Sequence, residues 1–350
     1  MTPPRDDSSK KTDLLSFVRR TLNTDEFELL PLAGDASNRI YHRVVSEEDS
    51  WVLMEWEPFI DDDNYPFLSV LSHFRNHKIH VPKVIGKAPQ LGLVLLEDLG
   101  DLTLERKFWE SQDPNDSFPY YQQAIDEVVK IHGVASQDIQ SSCTAFRISF
   151  DTEKLLWEMN YGRKHLLEGF CQIKLNETES KALDRIFMNI CHQLDAEPKV
   201  ICHRDYHSRN VMLKLGKMRV IDFQDARMGP VQYDLVSLIH DSYVKIPEVL
   251  GKKILNDYLD KSTLSRSTSF SQDHFNEVMN LQIIQRCFKA CGSFSSFYNM
   301  RQDTRYLKYI APTIRKVAKH LERQNEFLDF YHILNDHGVL EHDYEPPCMP

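Results

Sequence analysis

Residues 200–243 read VICHRDYHSRNVMLKLGKMRVIDFQDARMGPVQYDLVSLIHDSY, and this stretch decides most of what the chain can be. His203-Arg204-Asp205 is followed, five residues after the aspartate, by Asn210, and twelve residues further on by Asp222 in Ile221-Asp222-Phe223. Val200-Ile201-Cys202, Val211-Met212-Leu213 and Met218-Arg219-Val220-Ile221 are short apolar runs with the character of strands. Between the last two, Lys214-Leu215-Gly216-Lys217 predicts a hairpin turn, which brings Asp222 back beside Asn210. Amide and carboxylate oxygens so placed are hard ligands that can share one divalent cation, and Asp205 remains as a separate carboxylate in the preceding loop. A His-Arg-Asp tripeptide alone arises readily by chance, its aspartate a turn residue and its histidine in the core. The joint pattern is much harder to obtain that way.

H-R-D-x-x-x-x-N, a hairpin and then Asp-Phe answers the demands of phosphoryl transfer from ATP. The acceptor hydroxyl needs a carboxylate to take its proton, a role that fits Asp205. The phosphates need Mg²⁺ held by oxygen ligands, a role that fits Asn210 and Asp222. In a protein kinase the second motif continues Asp-Phe-Gly and opens a long activation segment ending in Ala-Pro-Glu. Here the chain runs Asp222-Phe223-Gln224-Asp225-Ala226, then Gly229-Pro230 and Tyr233-Asp234-Leu235, with a helix expected from about Asp234 and no activation segment.

HRDYHSRN, IDFQDA and GPVQYDL resemble the aminoglycoside phosphotransferase and choline kinase group, and within it the bacterial anomeric amino-sugar kinases of cell-wall recycling. The resemblance runs over roughly residues 14–325 and is strongest at 200–243. It implies an α+β, protein-kinase-like two-lobed fold: a nucleotide-covering N-lobe with an antiparallel sheet over residues 12–98, and a large, mainly helical C-lobe over 99–350. It also implies ATP and Mg²⁺ as cofactors and a small-molecule hydroxyl as acceptor, the C1 hydroxyl of N-acetylmuramate or N-acetylglucosamine. Rival readings are a sister kinase of an aminoglycoside, choline or another metabolite alcohol, a protein kinase, and a catalytically idle nucleotide-binding module.

The totals narrow the classes further. A chain of 350 residues, 41% hydrophobic, can bury a large core and divides naturally into two lobes. A formal charge of -10 argues against nucleic acid as a partner. No apolar run approaches the roughly 18 residues of a membrane span. Residues 1–11, MTPPRDDSSKK, read as a disordered tail rather than a signal peptide. Seven cysteines without a CxxC pair suggest reduced thiols and a cytoplasmic setting. Oligomeric state is not legible.

Towards the N-terminus, residues 12–22 predict an amphipathic helix and 27–32, 39–45 and 51–56 predict strands. The turn Ala33-Gly34-Asp35-Ala36-Ser37-Asn38 stands where the family carries its phosphate-covering loop, so Gly34, Ser37, Asn38 and Arg39 are candidates to contact ATP. Related kinases place a lysine in the third strand, paired to a glutamate of the next helix. Met54 occupies that place here, and residues 66–76 hold no glutamate. Joint loss of both partners is physically coherent, since either alone would leave a buried charge. Arg39 or Arg43 could supply the missing cation, or could be solvated strand arginines. Residues 81–84 and 91–96 complete the expected five-stranded sheet. Leu96 to Gly100 then reads as the hinge, where the backbone of Glu97 and Leu99 would face the adenine edge.

Beyond Leu102 the pattern is helical. Two segments offer polar residues on otherwise apolar helices: 153–165, with Glu158, Tyr161, Arg163 and His165, and 281–297, with Gln285, Arg286 and Lys289. Glu158, Tyr161, Arg163 and Arg286 are the candidate substrate contacts, with an internal salt bridge as the alternative for Arg286. Asp234 either holds the catalytic loop or caps its helix. A structural role is expected for Asp234, Arg204 and His203 alike.

Overall fold

The computed structural model describes residues 7–32, 39–47, 49–62, 64–263, 268 and 270–344. Five antiparallel strands, β1 (Glu28–Leu32), β2 (Ile40–Val45), β3 (Ser50–Glu55), β4 (Val84–Ala88) and β5 (Leu93–Glu97), form one sheet in the order β1-β2-β3-β5-β4. Alternation along the strands sorts their side chains onto two faces. Val44, Leu53, Leu93 and Leu95 meet Leu14, Phe17 and Val18 of α1 (Asp7–Leu22) on the outer face. Met54, Val94 and Leu96 share the main core with Phe67, Val70 and Phe74 of α2 (Pro66–Asn76) on the inner one.

Two expectations need correction. Residues 7–11, assigned to the tail, are the first turns of α1. The fourth strand begins at Val84, where the run expected to form it ends; Pro82 lacks an amide for the ladder, which keeps 81–83 out of the sheet.

Below the sheet the chain is mainly helical: α3 (Leu104–Glu110), α4 (Phe118–Lys130), α5 (Thr152–Gly162) and α6 (Glu177–Asp195) precede the catalytic segment. The segment itself carries β6 (Lys199–Cys202), a hairpin of β7 (Val211–Lys214) and β8 (Lys217–Val220), and β9 (Arg227–Pro230), which pairs back onto β6. After it come α7 (Gln232–Ile239), α8 (Glu248–Lys261), α9 (Gln272–Arg301), α10 (Ile310–Leu321) and α11 (Leu328–Asp336).

Helices α5 and α9 cross at two glycines. A Cβ on Gly292 would stand 2.6 Å from the Gly162 Cα, so any side chain there would push the helices apart. That close approach fixes α9 against α5 beside the catalytic loop. At the hinge, the Arg43 guanidinium bonds both Asp98 (2.7 Å) and Asp101 (2.8 Å), and Lys214 Nζ donates to the Asp98 carbonyl at 2.6 Å. Strand β2, the hinge and the β7–β8 hairpin are therefore tied at one point.

Candidate active site

Residues 203–210 leave β6 as a loop whose backbone is held by buried side chains from elsewhere. Asp234, fully buried in the first turn of α7, accepts from the His203 amide at 2.6 Å and the Arg204 amide at 3.0 Å. Asp241, buried just beyond α7, accepts from the Ser208 amide at 2.8 Å and the Tyr243 amide at 2.7 Å. His203 Nε2 lies 2.9 Å from the Ile221 carbonyl, and the Tyr206 hydroxyl donates to the Ala124 carbonyl at 2.6 Å. Amides satisfied in this way cannot relax without leaving buried polar groups unpaired. The loop is thus rigid enough to hold Arg204 at φ 83°, a left-handed conformation costly for a residue with a Cβ. Asp234, Arg204 and His203 have the structural roles expected of them, and Arg204 also pairs with Asp225 at 3.0 Å. Asp241 went unnoticed in the sequence, where it looks like any aspartate after a helix.

Asp205 stands at the turn of this loop, half-buried. Burial would raise its pKa, but Lys289, Arg204, His207 and Arg286 surround it, and their charges hold the carboxyl well below the usual carboxylate range. It is therefore ionised whenever the enzyme works. A carboxylate held ionised in this way is able to orient an acceptor hydroxyl and to receive its proton.

Asn210 Nδ2 donates to the Asp205 carbonyl at 2.9 Å and approaches Asp222 Oδ2 at 3.3 Å. The hairpin thus does what its spacing predicted and brings Asp222 to Asn210. Asp222 is exposed at φ 64°, with Gln224 Nε2 donating to its Oδ1 at 2.8 Å. Asn210 through its amide oxygen and Asp222 through its carboxylate are the residues that would hold a Mg²⁺, a hard cation that needs few protein ligands and would supply charge neutralisation to phosphate.

On the acceptor side, Glu158 of α5 is fully buried, with the Tyr233 hydroxyl (3.2 Å) and Gln285 Nε2 (3.0 Å) on its Oε2 and no hydrogen-bond partner on its Oε1. Arg286 is buried over the Tyr233 ring with its Nε unpartnered. Among the described residues no carboxylate comes within ion-pair distance of Arg286 or Lys289, so the salt bridge weighed for Arg286 is absent. Burial lowers the Lys289 pKa, with Asp205 and Glu158 opposing. Burial also lowers that of Lys154, with Glu158 opposing and Arg204, Arg227 and Lys289 adding to the fall. Lys154 was legible as the residue one helical turn before Glu158; Arg227 lies at the start of β9, a strand the sequence did not suggest.

Arg163 is a correction. It turns to α6 and is consumed by Glu168 (2.9 Å), Asp184 (3.0 Å) and Ser180 (2.9 Å). It braces the helices rather than facing a substrate. Tyr161 lies with its ring between Trp157 and His165, at 5.2 and 4.3 Å, as part of an aromatic strip.

Across the cleft, Gly34, Ser37 and Asn38 lie outside the described residues. Arg39 lies over the Trp56 ring at 5.2 Å and hydrogen-bonds Tyr41. Burial raises the Tyr41 pKa; the Arg39 charge opposes this, and Asp222 reinforces it. Arg43 is a second correction: its charge is spent on Asp98 and Asp101 at the hinge, so it neither supplies the phosphates nor stands free in solvent. Met54 is fully buried with Phe67 and Val70 of α2. An apolar contact occupies the place of the lysine–glutamate pair. At the hinge, Glu97 pairs through its side chain with Lys214 at 3.4 Å and through its amide with the Lys83 carbonyl at 2.8 Å, and Leu99 is buried.

An ionised aspartate beside an asparagine and a second aspartate, with cationic side chains opposite, is the chemistry that phosphoryl transfer to a small molecule calls for on a protein-kinase-like fold. Residues 28–267 match the model of the phosphotransferase enzyme family, and the chain belongs to that family. It is 28% identical over 310 residues to an N-acetylmuramate/N-acetylglucosamine kinase of Pseudomonas aeruginosa, covering 88% of each chain. It is 26% identical over 326 residues to the enzyme of the same name from Neisseria meningitidis, covering 93% of this chain and 95% of that one. Among solved structures it resembles an ADP-bound aminoglycoside phosphotransferase (TM-score 0.58, 14% identity, 90% of this chain and 99% of that one). It also resembles a choline kinase of Streptococcus pneumoniae (TM-score 0.60, 13% identity, 89% and 99%). The protein is an ATP-dependent small-molecule kinase.

Proposed function

We propose that the chain transfers the γ-phosphoryl group of ATP to the C1 hydroxyl of an N-acetylated amino sugar, with N-acetylmuramate preferred over N-acetylglucosamine. The observation that carries this is that Arg286 and Lys289 act on Asp205 while, among the described residues, no carboxylate lies within ion-pair distance of either. A polycationic aminoglycoside would be repelled by such a wall, which needs a neutral or carboxylate-bearing acceptor. The lactyl carboxylate of N-acetylmuramate meets it, and a guanidinium can take a carboxylate in two parallel hydrogen bonds. The names of the relatives in Pseudomonas and Neisseria point to the same pair of sugars.

In this reading Asp205 orients the anomeric hydroxyl and accepts its proton, an easier task than with an ordinary alcohol because that hydroxyl is more acidic. Asn210 and Asp222 would hold Mg²⁺, which neutralises the phosphate charge when bound. Arg39 adds a cation at the phosphate side. The backbone at Glu97 and Leu99 faces the adenine. A cytoplasmic setting accords with ATP as donor and with the free thiols of Cys171, Cys191, Cys202, Cys287 and Cys291.

The test offers N-acetylmuramate, N-acetylglucosamine, their 1-O-methyl glycosides, choline and kanamycin as acceptors in an ATP-consumption assay. Turnover on both free sugars and none on the glycosides is the expected result. A glycoside phosphorylated as readily as its free sugar would remove C1 as the acceptor, and preference for choline or kanamycin would move the chain to a sister activity.

A further inference from the structure

The first half of α9, with α7, α8 and α10, lines a half-open pocket of about 700 Å³ whose lining includes none of the cleft residues described above. That volume falls within the range of small-molecule sites, roughly 300–1,000 Å³. Its floor is apolar, with Ile246, Leu255, Met279 and Ile283. Its walls carry Lys245, Lys252, Arg315, Lys316, Lys319 and Arg323. The only acid in that lining is Glu248, already paired to Lys252 at 3.1 Å and near Lys319 at 3.9 Å. Six cations around one opening run against the charge of a chain that carries -10 overall.

Two histidines in the wall record the local field. Burial lowers His240 to about 3, with Lys316, His320 and Lys319 lowering it further. Burial lowers His320 to about 4, with Arg323 and Lys319 adding to the fall. Both are neutral at working pH and add no charge to the wall.

One wall residue also reaches the catalytic machinery. Lys316 Nζ donates to the carbonyls of His240 (3.1 Å) and Asp241 (2.6 Å), and the Asp241 carboxylate holds the Ser208 amide of the catalytic loop. An anion seated in the cavity would compete for Lys316 and loosen that attachment.

We propose that this cavity is a second ligand site, taking a phosphate ester that carries an apolar ring, and that its occupancy is felt at the catalytic loop through Lys316. The charge of the walls selects the phosphate, and the floor selects the ring. Neither half of the ligand suffices alone, because a bare anion leaves the floor wet and a neutral ring leaves Lys245, Arg315, Lys316 and Arg323, which Glu248 does not pair, without a counter-charge.

The probe is 1-naphthyl phosphate, titrated calorimetrically into the full chain saturated with Mg-ADP, with inorganic phosphate and 1-naphthol as controls. One saturable site is expected for the probe and none for either control. The double variant Lys319→Glu/Arg323→Glu should weaken binding at least tenfold, and Met279→Trp, which fills the floor, should do the same without altering charge. Both should melt cooperatively and keep probe-free turnover within twofold of wild type. In a separate ATP-turnover assay, saturating probe should lower kcat more than twofold in the wild type and leave the double variant unchanged. Absence of saturable binding overturns the site, and so does binding that both variants leave intact. Binding lost in the variants without any change in wild-type turnover overturns the link through Lys316.

Discussion

Around Asp205 the charges are numerous and the backbone is fixed from outside the loop: Asp234 and Asp241, both buried, hold three of its amides between them. Across the cleft, strand β3 presents Met54 to the apolar residues of α2, where related kinases keep a lysine–glutamate pair, and Arg39 is the cation we propose in its stead. Exact placement is demanded where a proton and a hydroxyl must meet within a hydrogen bond, because small displacements there are costly in rate. Phosphate binding is a less local matter, since charge acts over several ångströms and can be supplied from more than one position. The lysine–glutamate pair is therefore replaceable, and an apolar substitute for a buried ion pair is often no less stable. The floor of the cleft has no such freedom.

The largest effect expected from this contrast is at Asp205. Asp205→Asn should lower kcat by roughly two to four orders of magnitude, the usual worth of a positioned acid or base, with the affinity for Mg-ATP nearly unchanged. Turnover close to wild type would remove Asp205 from its role. Next comes its anchor. Asp234→Ala orphans two buried amides at about 1–3 kcal/mol each, so thermal melting should fall. With the loop free to shift, kcat should drop by roughly the 10²-fold that a 1 Å misplacement brings. A melting shift without a kinetic one would show that the loop keeps its geometry by other means.

Arg286 separates the acceptor wall from the floor. A charge-assisted hydrogen bond to a carboxylate is worth about 1.5–3 kcal/mol. Arg286→Ala should therefore raise KM for N-acetylmuramate by roughly ten- to a hundredfold, while N-acetylglucosamine, which lacks the carboxylate, is affected far less. Equal losses for both sugars would mean that Arg286 acts on Asp205 and not on the substrate.

The legible parts of the molecule are the local ones. Asp205, Asn210 and Asp222 lie within eighteen residues, and a single hairpin decides their geometry. The strand at Leu93-Val94-Leu95-Leu96 is likewise legible as an apolar run, although its uniform character leaves the assignment of faces to the packing of α1 and α2. What escaped depends on distant partners. Arg43 finds Asp98 and Asp101 across the hinge, and Arg163 finds Asp184 on the next helix, so neither can be told from a solvated or substrate-facing arginine by its neighbours. Strand β9, Arg-Met-Gly-Pro, has no alternating pattern and exists because β6 lies beside it.

Arg39 tests the roof directly. Arg39→Ala should raise KM for ATP by about fivefold, the upper end for a charge pair near solvent, with kcat for either sugar less affected. A silent substitution would place the phosphate-binding charge elsewhere.

The smallest kinetic effect is expected at Met54. Its side chain is fully buried on the α2 face of the sheet, opposite Tyr41 and Val94 in the ladder, in one cluster with Phe67 and Val70. Leucine conserves nearly the same volume, so Met54→Leu should cost less than about 1.5 kcal/mol of stability and leave KM for ATP unchanged. Restoring the family's cation tells the same story from the other direction. An ammonium at this position meets no carboxylate on α2, whose residues 66–76 include neither aspartate nor glutamate. Met54→Lys should therefore lower the melting temperature without tightening ATP, because an unpaired buried charge is opposed by its lost hydration. A fall in KM for ATP in that variant would show that the roof lacks only its lysine, and would remove Arg39 as its replacement.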